Sequence, residues 1–334
     1  MEHVSVPVTV STIVAGKFRR YAHLSVWQHL TSWHVVKGNV SDVAKIIIGF
    51  FQSLGLIIRF WPDVVFAKGG YVCLPLGLAA WILRRPLVIH DSDTRPGLTN
   101  RVLARFATKI ATGSPLENYP YDPAKSTYVG VPIDDTFRPV STKQQREYKQ
   151  ELGVDPDKKL VVAMGGGLGA VSINDAMAIV ATELRDDDVV VYNITGKKNI
   201  DRATEKAVGI DNYIATPFVY EGMHKVLGAA DIVVSRASAT FLQELAGLKK
   251  VVIAVPARQL GDQLKNAHAF AAAGAVVSLS DTDIETPDIL KEVIQDLLSN
   301  AQKRETLAEA LHEFARPDAA ASTAKLILSA PKAK

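Results

Sequence analysis

From residue 60 onward, short apolar runs alternate with amphipathic segments, and this alternation restricts the fold more than any other feature of the chain. The runs are Asp63–Ala67, Pro86–His90, Lys109–Thr112, Thr127–Val129, Leu160–Met164, Val189–Ile194, Ile232–Ser235, Val251–Val255 and Ala275–Leu279. Between them lie helix-like segments such as Leu74–Leu83, Asn100–Phe106, Ile173–Leu184, Ser238–Ala246, Gln263–Ala273 and Pro287–Ser299. Short apolar strands separated by helices belong in parallel sheets covered on both faces. A chain of 334 residues has material for two such Rossmann-like domains with a cleft between them. The polar, helix-forming stretch Ser141–Glu151 marks the boundary. It predicts domains over 1–140 and 141–316, with a C-terminal helix and tail over 317–334 free to pack back on the first domain.

Composition narrows the function classes. Hydrophobic residues at 48% and charged residues at 22% suit a sizeable core. The single cysteine, Cys73, excludes an intrachain disulfide. A net charge of +3 gives no argument for nucleic acid. The charge is uneven, however: over residues 1–61, Lys17, Arg19, Arg20, Lys37, Lys45 and Arg59 face only Glu2 and Asp42. This suits either an anionic partner such as a membrane surface or a solvated face. The start carries no signal-peptide pattern. The most apolar stretch, Val43–Trp61, is interrupted by Lys45, Gln52, Ser53 and Arg59, and falls short of a clean span. Read as a helix over Val43–Phe60, it places Lys45, Gln52 and Arg59 on one narrow stripe, with Gly49 and Ser53 beside them. That pattern fits a nearly buried helix against a sheet, or a surface that meets lipid headgroups.

Three segments sit where a strand hands over to a helix: Lys68-Gly69-Gly70-Tyr71, Gly165-Gly166-Gly167-Leu168-Gly169-Ala170, and Ser235-Arg236-Ala237-Ser238-Ala239-Thr240. Glycine lets backbone N–H groups approach a ligand, and a helix N-terminus favours an anion. Each loop alone could equally serve a tight strand–helix turn. Their recurrence at strand carboxyl ends is the stronger signal, because ligands of open α/β sheets bind there. No P-loop, Gly-x-Ser-x-Gly or Cys/His nucleophile pattern occurs, and no His/Cys cluster has metal-ligand spacing.

The run Pro62–Val72 (PDVVFAKGGYV), Ile89-His90-Asp91-Ser92-Asp93 with Pro96–Arg101, the Gly165–Ala170 loop, Ala230–Arg236 leading to Glu244, and Asp262–Ala267 together resemble the signatures of the MurG family in order and spacing. The likeness extends over nearly the whole chain, and Ala15–Tyr21 resembles a segment these proteins carry before an apolar helix. The resemblance implies a GT-B fold and a peripheral-membrane, inverting transferase. Such an enzyme moves N-acetylglucosamine from UDP-GlcNAc to undecaprenyl-pyrophosphoryl-MurNAc-pentapeptide at the cytoplasmic face of the cell membrane. It implies no cofactor and leaves a divalent cation open. Gly166, Gly167, Gly169, Arg236, Ala239 and Thr240 correspond to the donor phosphate region. Tyr220 corresponds to the uracil edge, Glu244 to the ribose acid and Gln263 to a sugar-reading amide. Gly69, Gly70, Tyr71, Asp91, Asp93 and Asn100 correspond to the acceptor side.

Several positions depart from the family pattern. Asp91 stands for the usual Glu, Ser92-Asp93 for Gln-Asn, Gly167-Leu168 for Ser-Gln, Thr240-Phe241 for Leu-Thr, and Asp134 for an arginine. The family opens with a strand and a Gly-x-Gly-Gly-x-x-Gly loop followed by a histidine that is a candidate base. The chain is expected to start near the third strand, around Val4–Val14, without that loop, which leaves the catalytic residue unassigned and the first domain incomplete. His23, His29 and His34 are not matches to the loop histidine, and His90 reads as a buried structural residue. Alternatives are a non-catalytic membrane-associated protein of the same fold, or a transferase with another lipid acceptor.

Overall fold

The computed structural model describes residues 8–16 and 33–331, without the side chains of residues 33–40 and Asp186. Helix α1 (Trp33–Phe60) leads into β1 (Val65–Ala67), α2 (Cys73–Ile82), β2 (Leu87–Asp91), α3 (Leu98–Leu103), β3 (Lys109–Thr112) and β4 (Ser126–Tyr128). The second half runs α4 (Thr142–Glu151), β5 (Lys159–Met164), α5 (Val171–Glu183), β6 (Val189–Ile194), α6 (Ile200–Lys206), β7 (Tyr213–Thr216), α7 (Met223–Ala229), β8 (Ile232–Ser235), α8 (Ala239–Gly247), β9 (Val252–Ala254), α9 (Gly261–Ala272), β10 (Val277–Ser278), α10 (Pro287–Ser299), α11 (Ala301–His312) and α12 (Ala319–Leu328).

The strands form two parallel sheets, in the orders β1-β2-β3-β4 and β10-β9-β8-β5-β6-β7. In the second sheet β5 lies between β8 and β6, so the chain reverses direction of travel there and opens a crevice at the carboxyl ends of β5 and β8. Alternate residues of each strand face opposite cores. Leu160, Val162 and Met164 join one cluster, while Val161 and Ala163 join the other. Burial on both faces explains the unbroken apolar runs.

Local chemistry starts the helices. Ser141 and Gln144 form a reciprocal capping box at α4, with Ser141 N donating to Gln144 Oε1 at 2.9 Å. Pro287 opens α10, where its missing N–H costs no helical bond. The buried pair Lys149–Asp231, 2.7 Å apart, ties α4 to the start of the second sheet, and Asp231 also accepts from Leu160 N. Strand β7 and helices α6, α7 and α11 lack the apolar runs that marked the others. In α11, for example, only Leu307, Ala308 and Leu311 are buried.

Two expectations are corrected. Residues 8–16 form no strand; Val4–Pro7 lie outside the described residues. Their contacts go to a helix rather than a sheet, since Val14 N donates to Gln52 Oε1 at 2.7 Å. Helix α1 is also not nearly buried. Asp42, Gly49, Ser53 and Ile57 turn inward, whereas Val43, Ile47, Ile48, Phe51 and Ile58 are exposed. Ser41–Phe60 is long and apolar enough to cross a membrane, with mean hydropathy 1.7, although its small and polar face packs beside α2. Small residues face in because α1 lies close to its neighbours: a Cβ on Gly49 would strike the Val14 carbonyl. His23 and His29 lie outside the described residues, as does most of Ala15–Tyr21.

Candidate active site

The two sheets meet across a cleft at their carboxyl ends. A cavity of about 480 Å³ is lined from the first half by Lys68, Gly69, Gly70, Tyr71, Asp91, Ser92, Asp93 and Asn100, and from the second by Asp262. All six residues assigned to the acceptor side therefore come together in one wall. Gly69 holds φ +91°, and a Cβ there would press on the Asn100 amide at 3.0 Å. Asn100 is buried and donates to the His90 carbonyl at 3.0 Å, and among the described residues nothing donates to its buried Oδ1. Asp91 is buried at the end of β2 and accepts from the Tyr121 hydroxyl at 2.7 Å. Burial raises its pKa to about 7 despite the bonds from Tyr121 and Asn100, with Asp93 adding a smaller push in the same direction. His90 is fully buried between the Gly130 carbonyl (2.9 Å) and the Ser92 hydroxyl (3.2 Å), and burial lowers its pKa, so it stays neutral and structural.

A second cavity, about 550 Å³, lies at the crevice of the second sheet. Its lining includes Gly165, Gly169, Ser172, Arg236, Gln263 and Asp281. Gly169 has φ +78°, and a Cβ there would strike the Thr195 carbonyl, so this turn accepts only glycine. Gly166 (φ +84°) and Gly167 have open space where a side chain would stand. Helix α5 starts in this lining and α8 begins three residues after Arg236; among the described residues neither has a side-chain cap, a setting that favours an anion at first-turn N–H groups such as those of Ala239 and Thr240.

Arg236 lines this cavity and is also engaged by protein groups. Its guanidinium donates to Asp281 Oδ1 (2.8 Å), the Val255 carbonyl (3.0 Å) and Ser172 Oγ (3.0 Å), tying four loop ends together. Burial would raise the Asp281 carboxyl, but the bonds from Arg236 and Ser172 outweigh it and hold the pKa low. Gln263 Oε1 accepts from Ala257 N at 3.0 Å, and among the described residues its amide N–H groups make no hydrogen bond. Glu244, on α8 outside this cavity's lining, is half-buried and accepts no side-chain hydrogen bond among the described residues. Burial, then Asp134, raise its pKa to about 7. A carboxylate desolvated without a donor is suited to two adjacent ligand hydroxyls. Tyr220 is exposed in the β7–α7 loop, its ring 4.9 Å from Phe218 and 4.6 Å from Lys197 Nζ.

Asn266, fully buried on α9, joins the two halves. It accepts from Thr94 N (3.0 Å) and Thr94 Oγ1 (2.9 Å), and donates to Asp93 Oδ1 (3.0 Å) and the Ala237 carbonyl (3.2 Å). It stood within a recognised motif, yet its partners lie 172 and 173 residues away, so no local signal assigned it. The linkers Asp281 and Ser172 were also missed, because neither belongs to a glycine loop.

Two parallel α/β sheets facing a cleft, with capless helix starts at one switch point and an unpartnered acid on the following helix, define a GT-B glycosyltransferase. Models of the glycosyltransferase family 28 N-terminal and C-terminal domains match residues 17–112 and 160–323. The chain is 36% identical over 296 residues to the UDP-N-acetylglucosamine--N-acetylmuramyl-(pentapeptide) pyrophosphoryl-undecaprenol N-acetylglucosamine transferase of Geobacillus kaustophilus, covering 87% of this chain and 77% of the relative. The Legionella pneumophila (strain Paris) enzyme of the same name is 31% identical over 303 residues, covering 90% and 78%. Among solved structures, Acinetobacter baumannii MurG superposes with a TM-score of 0.71 at 26% identity, over 86% of this chain and 79% of that one. The UDP-GlcNAc 2-epimerase of Neisseria meningitidis shares the fold alone, with a TM-score of 0.64 at 13% identity over 85% and 80%. The chain belongs to glycosyltransferase family 28 and, within it, to the MurG family.

Proposed function

We propose that this chain transfers N-acetylglucosamine from UDP-GlcNAc to undecaprenyl-pyrophosphoryl-MurNAc-pentapeptide, a step of peptidoglycan synthesis. The observation that carries this reading is its 36% identity over 87% of the chain to a transferase of that name, joined to a cleft with one cavity on each side. The second half, residues 141–316, takes the donor. Glu244 binds the ribose hydroxyls, Gln263 reads the sugar, Tyr220 lies at the uracil edge, and the Gly166–Gly169 loop with the α8 start at Ala239 and Thr240 receives the pyrophosphate. Positive helix ends there stabilise the charge that grows on departing UDP. Arg236 acts by holding these loops through Asp281 and Ser172. Residues 1–140 take the acceptor in the cavity of Gly69, Gly70, Tyr71, Asp91, Asp93 and Asn100. Helix α12 returns to this half, supported by the 2.7 Å bond between Lys109 and Ser329.

The acceptor's lipid requires a membrane surface. The exposed row of Val43, Ile47, Ile48, Phe51 and Ile58 on α1 supports peripheral attachment at the cytoplasmic face, as do exposed Trp61, Trp81 and Ile82 nearby in the sequence. Arg59 and Arg84, both exposed, lie among or beside these residues in sequence and suit anionic headgroups. Transfer of labelled sugar from UDP-GlcNAc to a lipid I analogue tests the reading. UDP binding without transfer would favour a non-catalytic member of the fold.

A further inference from the structure

Both arginines that line the second cavity are already engaged by protein groups. Arg236 is paired with Asp281 at 2.8 Å, and Arg258 is drawn to Thr282 and to Glu285, the latter at 3.6 Å. A cation of a different kind stands on the adjoining loop, between β6 and α6. Lys197 is exposed, and among the described residues no carboxylate pairs with it. Its ammonium lies instead against two rings, 5.2 Å from the centroid of Phe218 and 4.6 Å from that of Tyr220.

The loop that carries Lys197 is fastened on both sides. Thr195 N donates to the Thr216 carbonyl at 2.9 Å, which fixes the loop to the end of β7, just before Phe218 and Tyr220. The Thr195 carbonyl accepts from Asn174 Nδ2 (2.9 Å) and Asn199 Nδ2 (3.1 Å), and Asn199 Nδ2 also reaches the Leu168 carbonyl (3.2 Å). Leu168 and Gly169 belong to the lining of the cavity. The contact is backbone against backbone: Gly196 holds φ +84°, and a Cβ on it would fall 2.4 Å from the Leu168 carbonyl oxygen and 2.7 Å from Gly169 N. Lys197 is thus anchored one residue from the glycine loop that faces the cavity, while its head rests on the aromatic loop beyond. An exposed cation–π contact is weak beside a charge-assisted bond to phosphate, and the flexible lysine stem lets the ammonium exchange one for the other.

We propose that Lys197 is a donor-binding residue that pairs with the diphosphate of the nucleotide sugar, leaving the Phe218 and Tyr220 rings as the donor enters. This rests on the transferase reading above and adds a residue to its donor site. The backbone N–H groups of the glycine loop supply partial charges, and Lys197 supplies a full one. A cation at that place offsets the charge that grows on UDP as the bond to the sugar breaks.

The test compares the full chain with K197M and K197R, which keep an apolar stem for the rings. UDP binding is followed by titration calorimetry at low and high salt, and uridine binding by ligand-observed NMR. K197M should bind UDP roughly tenfold or more weakly at low salt, with a smaller loss at high salt, and should bind uridine as the wild type does. K197R should keep most of the UDP affinity. Undiminished UDP affinity in K197M overturns the proposal. An equal loss for uridine also overturns it, since Lys197 would then act on the base loop and not on phosphate. A wild type that binds no UDP overturns the transferase reading itself.

Discussion

At the scale of single residues, environment separates carboxylates that look alike in the sequence. Among the described residues nothing donates to the Glu244 side chain, and burial raises its pKa to about 7, whereas Asp281 is held low by Arg236 and Ser172. Replacing Glu244 by alanine should weaken UDP binding by about 1–3 kcal/mol, measured by titration calorimetry, and unchanged affinity would remove its ribose role. A pH effect follows as well. Glu244 has a folded pKa of about 7 against an ordinary 4.5, so between these values the folded chain binds more protons than the unfolded one. Stability therefore falls as pH rises through this window, and above pH 7 the ionised carboxylate is held at a desolvation cost. The Tm gain of E244Q over wild type should be larger at pH 8 than at pH 5, and an equal gain at both would contradict the burial account.

At the scale of elements, α1 shows how a helix can be read correctly while the side it turns inward stays open. Its period and apolar content are plain in the sequence. The side that faces inward carries Gly49 and Ser53, because close approach favours small residues, and so the large apolar side chains face outward. Introducing glutamate at both Ile47 and Phe51 should reduce partition onto anionic vesicles by tenfold or more, since each large apolar side chain contributes about 1.5–3 kcal/mol when removed from water. UDP affinity should stay the same. Unaltered vesicle sedimentation would place membrane contact elsewhere.

At the scale of the whole molecule, the halves are joined at the cleft by a residue with no exposed surface. Asn266 satisfies Thr94, Asp93 and Ala237 together, so its loss leaves several buried polar groups unpaired. N266A should open the cleft, seen as a larger radius of gyration in solution scattering. It should lower transfer far more than it lowers UDP affinity. Wild-type scattering and turnover in this variant would show that the halves are held by other contacts.

Most strand runs, the long helices and the glycine loops were legible because they depend on local chemistry: apolar periodicity, turn residues and helix starts. The order of these motifs was enough to reach the MurG family and to single out six residues that line one cavity. What was not legible depends on partners far apart in the chain. The hold of Asp281, 45 residues on, on Arg236 has no local signal. Asp93 reads as a departure from a motif until Asn266 orients it from the other half. The sequence alone thus determined the elements and the family, through local pattern. Only the tertiary structure decided which side of α1 meets solvent and which polar atoms remain unpartnered, because burial and hydrogen bonding are settled by the groups that packing brings together.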